Sequence, residues 1–329
     1  MIHISIIGMG LIGTSLGMAL RSASKETTVL GEVTITGYDH DQRATADARA
    51  RLAIDKSVKK LEEATHNAQL IILAVPPQAL RELFVAMAPT LPHGTIVTDV
   101  ASTKTQVMAW ADELLPRTVD FVGGHPMAGK EQSGPAAAEI DLFKGTLYCL
   151  SPAPRTKQNA LDVVDGMVHH IGAKPYYIDP VEHDSYVGGV SHLPFVLSTA
   201  LVEVTNRSPS WREMAPLAAT GFRDMSRLAS GDVDMHRDIC ITNREALTRW
   251  IDETVVFLNE MREYLNTDDH EQVTDIFQRA RESRETWLQN RPNMRPGESE
   301  YENITGSAVE RPGLFNRMLG MRGPRDKRP

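Results

Sequence analysis

The chain has 329 residues, of which 41% are apolar and 24% charged, and its formal net charge is −8. That length suits two domains, and a mildly acidic balance argues against general binding of nucleic acid or of an acidic membrane. The two cysteines, Cys149 and Cys240, imply neither a disulfide framework nor a zinc site, and fit a reducing, cytoplasmic setting.

Strand and helix signals alternate through the first half. Ile2 to Ile7 is a β-branched run, and Leu11 to Arg21 is helical. The apolar stretch Ile2 to Leu20 lacks the basic start and cleavage-like end of a signal peptide, and glycines interrupt it. Val33 to Tyr38 reads as a strand, and Asp41 to Leu52 as a polar, Ala-rich helix. Leu70 to Val75 is a continuous apolar run, the mark of a strand buried on both faces. A helix over Ala79 to Met87, a strand over Thr95 to Asp99, a helix over Lys104 to Leu114 and a strand over Val119 to Val122 follow. This alternation predicts a parallel sheet with helices on both faces.

Asp141 to Leu150 reads as an edge strand, Lys157 to Ile171 as a helix and Lys174 to Ile178 as the last strand. Beyond Pro180 the pattern becomes helical over Val181 to Arg207, Trp211 to Leu228, Asp234 to Leu265 and Asp268 to Gln289. The expected division is therefore 1–172 for the α/β domain, 173–290 for an all-helical domain and 291–329 for a polar tail read as mostly disordered. Long apolar helices of this kind form dimer cores, so a homodimer is expected.

Gly8-Met9-Gly10-Leu11-Ile12-Gly13 matches G-x-G-x-x-G directly after a strand and at the start of a helix. That context makes it a dinucleotide fingerprint: the helix N-terminus offers free N–H groups and a positive dipole end to a pyrophosphate. Asp39 ends the second strand, where a carboxylate accepts from ribose hydroxyls and disfavours a 2′-phosphate, so NAD is the expected cofactor. Arg43 nearby keeps NADP open. Val75 and Pro76, at the end of the buried strand, complete the expected cofactor contacts. The fold class that follows is α/β, an N-terminal Rossmann-type doubly wound parallel sheet followed by an all-helical dimerisation domain.

The densest cluster is Gly123-Gly124-His125-Pro126-Met127-Ala128-Gly129, placed at the carboxyl end of a strand where open α/β sheets bind ligands. An imidazole there can take a proton from an alcohol as hydride leaves the same carbon; a loop histidine satisfied by backbone groups is the plainer reading. Ser102 either orients His125 or caps the helix starting near Lys104. His192, in Ser191-His192-Leu193-Pro194, sits where Pro194 should kink a helix. Arg227 either grips a substrate carboxylate in a bidentate pair or makes an ordinary salt bridge with Asp224 or Asp232.

Gly8–Gly13, Gly123–Gly129, Ser191–Pro194 and Gly221–Arg227, in this order, resemble the prephenate/arogenate dehydrogenase family over residues 2 to 290. The resemblance implies oxidation of a cyclohexadienol at C4 with loss of the ring carboxylate as CO2, without a metal. It implies that His125 takes the C4 hydroxyl proton, that Ser102 supports it, that Arg227 binds a carboxylate and that His192 lies in the substrate pocket. Glu131 falls where an acidic residue gates that pocket. Lys130 stands where some members have Ser or Thr, and His236 where some have Trp. A cationic Lys130 leans toward the pyruvyl side chain of prephenate. No ACT-type regulatory domain is expected after about residue 290, so tyrosine is expected to inhibit at the active site. Arogenate as substrate, and a non-catalytic NAD sensor, are the rival readings. A β-hydroxyacid dehydrogenase is disfavoured because Val181 to Val204 holds no lysine.

Overall fold

The computed structural model describes residues 2–22, 30–130 and 132–290. Glu131 and the 291–329 tail, for which the sequence raised expectations, lie outside the described residues. Strands β1 (Ile2–Ile7), β2 (Val33–Tyr38), β3 (Lys56–Ser57), β4 (Leu70–Leu73), β5 (Ile96–Asp99), β6 (Asp120–Pro126), β7 (Leu147–Pro152) and β8 (Lys174–Tyr177) form a sheet of order β3-β2-β1-β4-β5-β6-β7-β8. Between them run α1 (Leu11–Ser22), α2 (Gln42–Ala50), α3 (Leu61–Thr65), α4 (Ala79–Met87), α5 (Thr105–Leu114) and α6 (Gln158–His170).

Side chains alternate across the strands, and each face finds its own cover. Ile4 and Ile6 pack with Leu16, Ala48 and Met167 from α1, α2 and α6. Ile7, Ile71 and Leu73 pack on the opposite face with Phe84 and Val107 from α4 and α5. The sheet is thus doubly wound. The six strands β1 to β6 are parallel, whereas β7 runs antiparallel to β6 and β8 parallel to β7.

Two sequence expectations change here. The Asp141 to Leu150 strand starts only at Leu147, after a turn in which Gly145 has φ +75°, and it lies inside the sheet because β8 takes the edge. The Gly-Gly-His-Pro run is not a loop: β6 continues through Pro126, with His125 opposite Cys149. Pairing with β7 satisfies backbone groups that would otherwise have been solvated in a loop.

The second half comprises α7 (Pro180–Val187), a π-helical turn (Gly188–His192), α8 (Leu193–Asn206), α9 (Trp211–Met214), α10 (Thr220–Ser226), α11 (Val233–Thr242), α12 (Arg244–Asn266) and α13 (His270–Asn290). The π turn precedes Pro194, which has no N–H to continue a regular ladder. The expected helix over Trp211 to Leu228 breaks at Ala215–Leu217, around Pro216, and the one over Asp234 to Leu265 breaks at Asn243.

Pro180–Asn206 is apolar and long enough to cross a membrane by length and composition, yet it buries His183, Asp184 and His192. Polar ties bind the halves at the carboxyl ends of the strands. The Asp184 carboxylate accepts from Lys104 N (2.7 Å) and Thr105 N (2.8 Å), Thr103 Oγ1 donates to Thr242 Oγ1 (2.9 Å), and Gln78 N donates to Asp238 Oδ2 (3.3 Å).

Candidate active site

The glycine turn lies between β1 and α1. Gly8 has φ +98°, a conformation side chains rarely adopt, and a Cβ on Gly13 would sit 1.9 Å from Gly8 O. Both are therefore required by the turn itself. A Cβ on Gly10, by contrast, would meet nothing within 4 Å. This is the open side of the cradle and fits the passage of a pyrophosphate. Leu11 and Ile12 begin the helix whose N–H groups point there, and Val75, in the loop with Pro76, approaches Gly8. Asp39 Oδ2 accepts from Met9 N (2.7 Å) and Oδ1 from Asp41 N (2.9 Å), so the carboxylate also braces the glycine loop.

His125 projects from β6 into a relay the sequence did not reveal. Its Nδ1 lies 2.9 Å from His183 Nε2, and His183 Nδ1 lies 2.8 Å from Asp184 Oδ1. All three side chains are buried. Burial would raise the Asp184 carboxyl, but the hydrogen bond from His183, its charge and the N–H groups of Thr105 and Lys104 outweigh this and hold it below the ordinary carboxylate range. An ionised Asp184 only accepts, which places a proton on His183 Nδ1. When His183 Nε2 is the acceptor of this pair, His125 donates Nδ1–H to it and keeps a lone pair on its own Nε2. Burial pushes the His125 imidazole well below the ordinary histidine range, and the charges of His183, Lys104 and His192 act in the same direction. His125 is therefore a neutral base at physiological pH.

Beneath this relay, Asp99 and Lys104 form a fully buried ion pair. Asp99 also accepts from Ala101 N (2.9 Å) and from Gly124 N (3.0 Å), which anchors the residue before His125. A Cβ at Gly124 would stand 2.4 Å from Asp99 O, so this close approach needs glycine.

His192, at the end of the π turn, is buried and is pushed down to about 4, mainly by burial; Asp184 pulls it up, and His183 and His236 add to the lowering. Phe195 and His236 stack with ring centroids 4.2 Å apart and 5° between planes, beside His192.

The other predicted residues are placed as follows. Ser102 lies in the β5–α5 loop and does not cap α5: the carboxylate of Asp184 performs that role, and among the described residues the Ser102 hydroxyl has no hydrogen-bond partner. Lys130 pairs with Glu139 across the β6–β7 connection, so Glu139 compensates the charge expected to meet the substrate. Arg227 is exposed and opens a 3-10 turn that packs on α8 through Ala229 N donating to Ser198 Oγ (3.0 Å).

The relay residues His183 and Asp184, the Asp99–Lys104 pair and Asn243 went unread in the sequence. The available signals were an aspartate closing an otherwise apolar strand and an adjacent His-Asp pair opening a helix.

The pattern of the prephenate dehydrogenase nucleotide-binding domain matches residues 23–177, and that of the prephenate dehydrogenase dimerization domain matches residues 179–279. A prephenate dehydrogenase of Bacillus subtilis is 31% identical over 284 residues, spanning 86% of this chain and 75% of its own length. The chain belongs to the prephenate dehydrogenase family. A cyclohexadienyl dehydrogenase of Zymomonas mobilis is 29% identical and covers 86% of this chain and 94% of its own. The crystal structure of prephenate dehydrogenase from A. aeolicus, in complex with hydroxyphenyl propionate and NAD+, superposes with a TM-score of 0.79 at 27% identity, covering 87% of this chain and 98% of that one. Exposed apolar side chains on α8 and α12, among them Leu197, Val204, Val256 and Phe257, fall within the segment matched by the dimerisation domain.

Proposed function

We propose that the protein is an NAD-dependent prephenate dehydrogenase, which oxidises C4 of prephenate and releases the ring carboxylate as CO2 to leave 4-hydroxyphenylpyruvate. The observation that carries this reading is the Asp184–His183–His125 relay at the carboxyl end of the strand beside β5. Gly8–Gly13 and Asp39 would hold NAD, which would supply the hydride acceptor for C4.

The chain supplies the rest. His125 Nε2 accepts the C4 hydroxyl proton, and His183 with Asp184 shares the resulting positive charge. Ser102, at the same edge, offers a hydroxyl to the substrate oxygen. Arg227, from the helical half, is assigned to a substrate carboxylate. Loss of CO2 returns an electron pair to the ring, so aromatisation itself drives the second half of the reaction.

Arogenate is a second reading favoured by one observation: Lys130 is paired to Glu139, so its charge is compensated and does not by itself select a ketone over an amine. The enzyme works as a cytoplasmic homodimer in tyrosine synthesis and is inhibited by tyrosine competing for the substrate site. NADH formation from prephenate and from arogenate, each with NAD and with NADP, tests the assignment. Turnover of prephenate with NAD is expected; turnover of arogenate alone would correct the substrate, and turnover of neither would overturn the function.

A further inference from the structure

We propose that Asn243 is a positioning residue of the active site: its amide fixes His192 in the tautomer that carries its proton on Nε2, so that His192 donates a hydrogen bond to an oxygen of the bound substrate. Only the identity of that substrate rests on the function proposed above.

Asn243 is buried at the junction of α11 and α12. Its Nδ2 lies 2.8 Å from the carbonyl oxygen of Asp184 and 3.0 Å from His192 Nδ1. A backbone carbonyl can only accept, so the atom facing it must be the amide NH2 and not the amide oxygen. One N–H goes to Asp184 O and the other to His192 Nδ1. His192 Nδ1 is then a lone-pair acceptor, and a neutral ring with one proton must hold it on Nε2.

His192 Nε2 is buried, and no described protein group meets it. A buried N–H donor without an acceptor is costly, and such groups in native proteins mark a missing ligand or an internal water. None of the described groups around the ring makes a hydrogen bond with this nitrogen. They are His183 and Asp184 on α7, His125 on β6, His236 on α11 and Phe195 on α8; the Asp184 carboxylate is already shared among His183 Nδ1, Lys104 N and Thr105 N. A cyclohexadienyl acid, with a hydroxyl and carboxylates, brings oxygen acceptors to this position. The two neighbouring histidines then have opposite duties, each set by its partner. His183 leaves His125 an accepting Nε2, and Asn243 leaves His192 a donating one.

The test has two arms. In the full-length protein with 15N-labelled histidine, long-range 1H–15N correlation reads the tautomer directly, with the His192 signal assigned by its loss in His192→Gln. The expected result is a neutral, Nε2-protonated His192; protonation on Nδ1 overturns the inference and requires no Asn243 variant to fold. In Asn243→Asp, a near-isosteric carboxylate can only accept, which draws the His192 proton to Nδ1. We expect kcat/KM for the cyclohexadienyl substrate to fall at least about tenfold at about pH 8, with NAD affinity unchanged. The loss should shrink toward about pH 6, where an imidazolium beside the introduced carboxylate regains a proton on both nitrogens. An unchanged kcat/KM, or a loss of the same size at every pH, shows that Nε2 meets only water or packing and contradicts the proposal. If the wild-type protein turns over neither prephenate nor arogenate, the function assignment falls and the tautomer alone decides the inference.

Discussion

His125 Nδ1 lies 2.9 Å from His183 Nε2, so the imidazole closing β6 of the sheet domain is held by an imidazole from α7 of the helical half. The proposed base is thereby shared between domains: β6 delivers the ring, and α7 supplies the partner of its Nδ1. Asp184 strengthens the arrangement twice over, since the carboxylate that holds His183 also accepts the first free N–H groups of α5.

Replacing His183 by Phe removes the acceptor for His125 Nδ1–H while keeping a ring of similar size. The His125 ring is then free to carry its proton on either nitrogen. We predict a kcat roughly 100-fold lower, at the low end of what a general base contributes, with NAD affinity unchanged by fluorescence titration. A variant within threefold of wild-type kcat would show that the relay does not orient the base.

The pH dependence has a definite sign. Protonated His125 cannot act as a base, so kcat/KM is lost as pH falls through its folded-state value. Because burial lowers that value, the acid limb should inflect below the ordinary histidine value of about 6.5. The same lowering affects stability. The unfolded chain binds a proton at His192 near the ordinary value, whereas the folded chain does so only at about 4. Stability from this residue is therefore present above about pH 6.5 and is lost between about pH 6.5 and 4. His192→Gln should show a shallower fall of Tm across this window; an identical slope would contradict it.

Lys104→Met leaves Asp99 as an uncompensated buried charge. The expected cost is about 3–5 kcal/mol, read as a lower midpoint in urea unfolding. The double variant Asp99→Asn, Lys104→Met should recover part of the loss, because no charge then remains buried. Equal stabilities for the single variant and the wild type would mean that the pair is not closed in solution.

The two glycines of the nucleotide turn should fail differently. Gly13→Ala places a Cβ against Gly8 O and should destabilise the α/β domain in thermal melting. Gly10→Ala meets no protein atom within 4 Å and should melt like wild type while losing NAD affinity. Undiminished NAD binding in Gly10→Ala would remove the pyrophosphate from this position.

Much of the α/β half was legible because its rules are local. β-branched runs, glycine spacing and a terminal acid place β1, α1, β2 and Asp39 within a residue or two of their observed positions. The site was legible only where one segment carried it, as in the stretch around His125. The relay depends on a contact 58 residues away in sequence, between His125 and His183, and spacing within one segment carries no trace of it. Ser102 illustrates the converse. It had a suitable residue type for a helix cap, but a carboxylate from the other domain occupies that role. The helices after residue 207 are shorter than expected: Pro216 interrupts one, and the break at Asn243 is set by packing between α11, α12 and α7 rather than by a local proline or glycine.

The most direct test of the account is steady-state NADH formation from prephenate by the wild-type protein and by His125→Asn, with NAD binding measured in both. The account predicts turnover by the wild type, a kcat about 100- to 10,000-fold lower in His125→Asn, and equal NAD affinity. A variant that retains wild-type turnover would contradict it, because the proton of the C4 hydroxyl would then be leaving to some other group.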